Sequence, residues 1–166
     1  MKCTEKELEL LTILEQDARI ADEVLAKMLN VTETEVTQMI ESLKEQNVLV
    51  RCNALVNWSK VDSYEGITAM IDVKVTPKRG VGFNEIAQRI YRFPEVKSLY
   101  LMSGAYDLSV TVEGKSMNEV GNFVSQKLST LDSVVSTMTH FYLKKYKHDG
   151  IILEDGEEDQ RMVVSP

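Results

Sequence analysis

No run of apolar residues in this chain approaches the roughly 18 that a membrane-spanning helix requires. The opening MKCTEKELEL turns acidic at once and holds no apolar signal-peptide core, so the expected compartment is the cytoplasm. Cysteine is scarce. Cys3 and Cys52 lie far apart and outside any C-x-x-C pattern, which makes both free thiols of a reducing compartment. With only His140 and His148 to join them, no zinc site is expected, and no cofactor is expected either. Positive charge is also short: the net charge is −7. Residues 1–60 hold seven Lys/Arg against eleven Asp/Glu, residues 61–148 eleven against nine, and residues 149–166 one against six. A dedicated nucleic-acid binder usually carries the opposite sign, because phosphate contacts supply most of its affinity.

What is present is a globular composition, 43% hydrophobic and 27% charged, in 166 residues, enough for one domain or two small ones. Three helices fit the first 46 residues. Thr4 and Glu7 form a capping box opening a helix with Leu8, Leu11 and Leu14 inward. Asp22 can cap a short second helix with Val24, Leu25, Met28 and Leu29 inward, and Asn30-Val31 makes the turn. Thr32 and Glu35 box a third helix whose Val36, Met39, Ile40 and Leu43 follow i, i+3, i+4, i+7 spacing. The segments VLVR and ALVN then suit two short strands around Cys52-Asn53, giving a winged helix-turn-helix over 1–57.

After a linker at 58–66 the period changes. ITAMIDVKV alternates as a strand, Pro77 to Gly82 is a loop, and FNEIAQRIYRF is a helix burying Phe83, Ile86, Ile90 and Phe93. KSLYLMSGAYDLSVTVE is a hairpin. Ser116 and Glu119 box a helix with Met117, Val120, Val124, Leu128 and Leu131 inward, and VVSTMTHFYLKKYK, 134–147, is the last strand. The order β-α-β-β-α-β over 67–148 predicts a ferredoxin-like sandwich, so the chain is α+β. Gly104-Ala105 suits a type II′ turn with glycine at positive φ, setting Leu101 opposite Leu108 and Leu99 opposite Val110 on the face under the helices. Tyr100, Met102, Asp107, Ser109 and Thr111 then lie on a face that no other element covers, and a second copy of the chain is the simplest cover. The acidic tail 149–166 has apolar ends, Ile151-Ile152 and Met162-Val163-Val164, which suggest an arm docking on a neighbouring subunit.

Up to about Lys147 the chain resembles the Lrp/AsnC (feast/famine) family of transcription regulators. The stretches that carry the resemblance are ELELLTILEQDARIADEVLAKMLNVTETEV, the linker NWSKVDSYEG, RFPEVKSLYLMSGAYDLSV and VVSTMTHFYLKKYK. The resemblance implies a winged helix joined to a ferredoxin-like RAM domain, dimers formed through the sheet, and further assembly into higher homo-oligomers. It implies a small amino-acid effector near the S-G-x-Y/F-D turn.

Candidate sites can be placed on these elements. For double-stranded operator DNA they are Thr32, Thr34, Thr37, Gln38, Glu41 and Lys44 of the third helix, with Arg51 and Asn53 beyond it. Glutamine can read adenine and glutamate can accept from cytosine N4. Family members typically place arginines here, whereas this helix holds four glutamates against Lys44. The bland reading of Glu33 and Glu35 is that they serve the helix start, where the dipole favours negative charge. For the effector the candidates are Met102, Ser103, Gly104, Ala105, Tyr106 and Asp107, with Thr137 and Thr139 sharing one strand face. Asp107 suits an α-ammonium and the turn amides suit a carboxylate; the rival reading is a buried structural hydrogen bond across the dimer. Threonines in a strand also serve β-propensity alone.

The expectation is an effector-modulated, DNA-binding transcription regulator, homo-oligomeric and not an enzyme. Two alternatives stand beside it. Tetrapyrrole decarboxylases of the haem pathway share the two-domain build, and here only His140 is available to such chemistry. A partner protein whose head no longer binds DNA is the other.

Overall fold

A computed structural model describes residues 3–76 and 82–154. Its contacts divide the chain into two units, 1–56 and 57–166, each with its own core.

The first unit holds three helices: α1 (Glu5–Gln16), α2 (Asp22–Leu29) and α3 (Glu33–Glu45). Both expected capping boxes form. Thr4 and Thr32 each accept from the N3 amide, and Glu7 and Glu35 each return a carboxylate to the cap amide. Leu10, Leu14, Leu25, Ala26, Leu29, Val36 and Leu43 make the buried core. The faces of α1 and α2 differ from expectation. Leu8, Val24 and Met28 are exposed, while Leu10 and Ala26 go inside. The stripe of α1 centres on Leu10 and Leu14, four apart, which turns Leu8 outward. Asp22 is not a cap either: Ala21 holds that position without a side-chain bond, and Asp22 begins the helix proper. Asn30, at φ 51°, closes α2 in the left-handed conformation that asparagine tolerates.

The expected wing is not built. Residues 50–57 are assigned to no strand, and Val50, Leu55 and Val56 are exposed. A lone two-stranded hairpin with no apolar face to bury is marginal in water.

The second unit follows the predicted order with β1 (Ile67–Val75), α4 (Phe83–Ile90), β2 (Val96–Leu101), β3 (Leu108–Gly114), α5 (Met117–Phe123) and β4 (Val134–Phe141). The sheet is antiparallel in the order β2-β3-β1-β4, a ferredoxin-like sandwich. Ala69, Ile71, Val73 and Val75 of β1 alternate inward, and Leu108, Val110 and Val112 of β3 join them under α4 and α5. Opposite pairs include Leu101 with Leu108 and Leu99 with Val110, the predicted register.

Three details differ. Met117 is exposed, and Phe123 is buried in its stead. A π turn over Val124–Leu128, with Ser129 N–H donating to the Val124 carbonyl, extends α5 and ends on the buried Leu128. The last strand ends at Phe141 rather than 147. Beyond it, Lys147–His148 (β5) and Ile151–Ile152 (β6) form a small ribbon, turning on Asp149 and Gly150 at φ 45° and 79°. The rest of the expected arm, 155–166, lies outside the described residues, as does 77–81 of the expected loop.

Candidate functional site

The effector candidates lie around the loop 102–107 between β2 and β3. Met102 N–H donates to the Asp107 carbonyl (2.8 Å), and Asp107 N–H donates to the Val73 carbonyl of β1 (3.1 Å). The Asp107 carboxylate accepts from Val75 N–H (2.9 Å) and sits 3.4 Å from the Lys74 ammonium. These contacts extend the β1–β3 ladder past the end of β3 and fix the loop's base. The Val75 amide, opposed by burial and helped by Lys74, holds the Asp107 carboxyl below the usual carboxylate range. These bonds run within one chain rather than across a dimer as the rival reading of Asp107 had it, and Ser103, Gly104 and Ala105 are exposed.

The expected type II′ turn is not made. Gly104 lies outside the left-handed region, a Cβ added there meets nothing within 4 Å, and the loop runs as a string of bends. Anchoring Asp107 to β1 by both backbone and carboxylate sets the loop width, so Gly104 has no tight turn to serve.

Thr137 and Thr139 do not join Asp107. Across β1 they pair with Val73 and Ile71, both fully buried, and so face the helices, half-buried. Their bland reading, as strand residues over the core, is the one their placement favours. Met102 stands exposed beside Tyr100 and Leu101, and Tyr106 is half-buried.

The face of the sheet away from the helices is uncovered among the described residues. It carries Tyr100, Met70 and Met138 around two charge pairs, Lys74 with Asp107 and His140 with Asp72 (3.4 Å). His140 is thus an exposed strand residue with a carboxylate neighbour. Lys74 and Asp72 were missed in the sequence. Their signal was the register itself, since β1 must lie beside β3 in this topology.

In the head, the DNA candidates separate by direction. The core side of α3 is fixed by Val36 and Leu43, so the opposite stripe is Thr34, Gln38, Glu41 and Glu45, all exposed. Glu45 was missed, and no cation lies on that stripe. Thr37 is turned to α2: its hydroxyl donates to Asp22 Oδ2 and to the Glu33 carbonyl (both 3.1 Å). Thr32 is occupied as the helix cap. Thr37, Glu41 and Lys44 line a cleft with Asp22 and Cys52, whereas Gln38 lines another with Thr4 and Met39. Arg51 and Asn53 are exposed on the strandless segment. Cys3 and Cys52 are both free. No grouping of His, Cys, Asp and Glu able to hold a metal occurs among the described residues, and no helix among them is long and apolar enough to cross a membrane.

A helical head followed by a ferredoxin-like sandwich is the build of a transcription regulator with a separate ligand-binding domain, and comparison with known proteins agrees. The family model described as Lrp/AsnC ligand binding domain matches residues 68–152. An HTH-type transcriptional regulator of Bacillus subtilis (strain 168), YugG, is 60% identical over 166 residues, covering 100% of both chains. The HTH-type transcriptional regulator PH1916 of Pyrococcus horikoshii is 31% identical over 130 residues, 78% of this chain and 85% of that one. Among solved structures, the transcriptional regulator NMB0573 of Neisseria meningitidis in complex with L-Met superposes with a TM-score of 0.70 at 20% identity, over 89% of this chain and 94% of that one. E. coli AsnC gives 0.67 at 20% identity, over 89% and 97%. The chain belongs to the Lrp/AsnC family of transcription regulators.

Proposed function

We propose that this regulator binds operator DNA through its head, and that a small amino acid or related metabolite, held at the 102–107 loop, modulates that binding or the assembly state. The observation that carries the effector half is the anchoring of Asp107. Its two bonds to β1 anchor one end of a loop whose residues Ser103, Gly104 and Ala105 are exposed, which supports a ligand-binding role for the turn amides. The solved relative in complex with L-Met supports an amino acid as the class of effector. A homodimer through the open sheet face, with further assembly, completes the reading. The named relatives are transcription regulators.

The DNA half rests on Thr34 and Gln38 reading bases from α3, with Arg51 and Asn53 on phosphates. The uncharged-to-acidic outer stripe favours one second reading, a head that engages a partner protein in place of DNA. Two measurements test the proposal. Titration calorimetry against the twenty amino acids should find at least one ligand, and gel shifts on operator and scrambled duplex should show binding to the operator. A protein binding neither duplex, with and without ligand, hands the head to the second reading. A protein that binds none of the twenty removes the effector claim.

A further inference from the structure

Residues 58–66 read in sequence as a linker, but in the structure they and Asn57 fall in the second unit and form a strap with its own turns and ring contact, its side chains largely exposed. Asn57 Oδ1 accepts from the Ser59 amide (3.3 Å) and hydroxyl (2.6 Å), opening a 3-10 turn over Trp58–Lys60. Lys60, Val61 and Tyr64 N–H then donate to the carbonyls of Asn57, Trp58 and Val61. Trp58 stacks on Tyr64 with centroids 4.7 Å apart, and the Tyr64 ring lies so close to Gly66 that a Cβ there would overlap it.

Among the described residues, a side-chain bond ties this strap to the segment after β6. Asn57 Nδ2 donates to the Leu153 carbonyl (2.8 Å), a part-buried contact across 96 positions of sequence. Leu153 is in turn held where β6 ends, its N–H donating to the Tyr146 carbonyl (2.9 Å). The ribbon presenting Leu153 is only two residues per strand, and Ile151 and Ile152 on it are exposed. Such a ribbon is marginal alone and opens at little cost.

We propose that the β5–β6 ribbon is a clamp: through Leu153 it holds Asn57, and its release converts residues 57–66 from a folded strap into a free tether for the head. The consequence is one of reach. Ten extended residues span at most about 33–36 Å, close to the roughly 34 Å between half-sites one DNA turn apart. A clamped strap withholds that length and a released one grants it, which makes the ribbon a control on which half-site spacings a pair of heads can occupy. The consequence for half-site spacing rests on the operator-binding reading, whereas the clamp itself is read without DNA.

The test is amide hydrogen exchange on the full-length protein, read at Lys60, Val61 and Tyr64, beside three altered chains. Asn57→Asp keeps the acceptor for Ser59 and removes the donor to Leu153. A chain ending at Tyr146 lacks the ribbon, and a chain ending at Glu154 keeps the ribbon while losing only residues 155–166. Asn57→Asp and the Tyr146 end should exchange at these amides roughly tenfold faster, the scale of one lost net hydrogen bond, with exchange in β1 and β3 unchanged. The Glu154 end should match wild type. Trp58, the sole tryptophan, reports the same release through its emission as it leaves Tyr64. Wild-type exchange in Asn57→Asp overturns the clamp, and so does release in the chain ending at Glu154.

Discussion

Two residues of the effector loop can be set apart by what each does for the fold. Gly104 does nothing local, since its backbone is ordinary and space is open around it. Gly104→Val is therefore expected to shift stability by no more than about 0.5 kcal/mol, while a branched side chain over the exposed backbone lowers effector affinity. Thermal melting and calorimetry on the same sample check both halves; a large loss of stability would show that the loop needs glycine after all. Asp107 is the opposite case. Its carboxyl is held below its ordinary value by the Val75 amide first and Lys74 after it. A group with a depressed folded pKa contributes stability that is fully present above its unfolded value, near 3.9, and lost as pH falls through the folded value. Asp107→Asn should remove that part of the acid-side decline below about pH 4. Urea titrations of both proteins between pH 2 and 6 would reveal it, and coincident curves would deny Asp107 this role.

At the scale of elements, α3 keeps the placement of a reading helix and lacks the charge of one. On the proposed reading, its stripe of Thr34, Gln38, Glu41 and Glu45 would set two carboxylates against phosphates. Glu45→Arg should strengthen binding to scrambled duplex and steepen the salt dependence, by about 0.9 in log K per log salt for each phosphate neutralised. Glu41→Arg should do the same and also blur the operator preference, because it removes a possible acceptor for cytosine N4. Fluorescence anisotropy at several salt concentrations measures both, and affinities unmoved by either change would place this face away from DNA. The same helix shows why its element was legible and its partners were not. Capping signals and the Val36–Leu43 spacing are local, and they placed α3 and the α5 start at Ser116 from sequence alone, while strand alternation placed the β2–β3 register. The turning of Thr37 to Asp22 depends on how α2 crosses α3. The burial of Phe123 in place of Met117 likewise depends on how α5 packs on the sheet. The unformed wing and the loop at Gly104 failed for a shared reason: turn chemistry in the sequence is permissive, and contacts from β1 or the absence of any cover decide whether it is used.

For the whole molecule, the open sheet face sets the expectation of self-association. Tyr100 is 61% exposed, Met102 50% and Met138 46%, around charges that already neutralise one another in pairs. A face that is apolar with internally paired charge suits a copy of itself, since a two-fold axis sets the same patch of both copies face to face and no unpaired charge is buried. A stable dimer needs about 800 Å² from each partner, and a four-stranded sheet face supplies area of that order. Tyr100→Glu tests this sharply, because the symmetry would introduce the carboxylate twice into one interface. Its cross-strand neighbour is Ser109, so the fold loses no charge partner. Tyr91→Glu is the matched control, an exposed tyrosine at the end of α4 in the helical layer. Light scattering should find wild type and Tyr91→Glu at the mass of a dimer or larger, and Tyr100→Glu shifted toward the monomer with its circular dichroism unchanged. A wild-type monomer, or a Tyr100→Glu protein that keeps the full assembly, would move the subunit contact off this face.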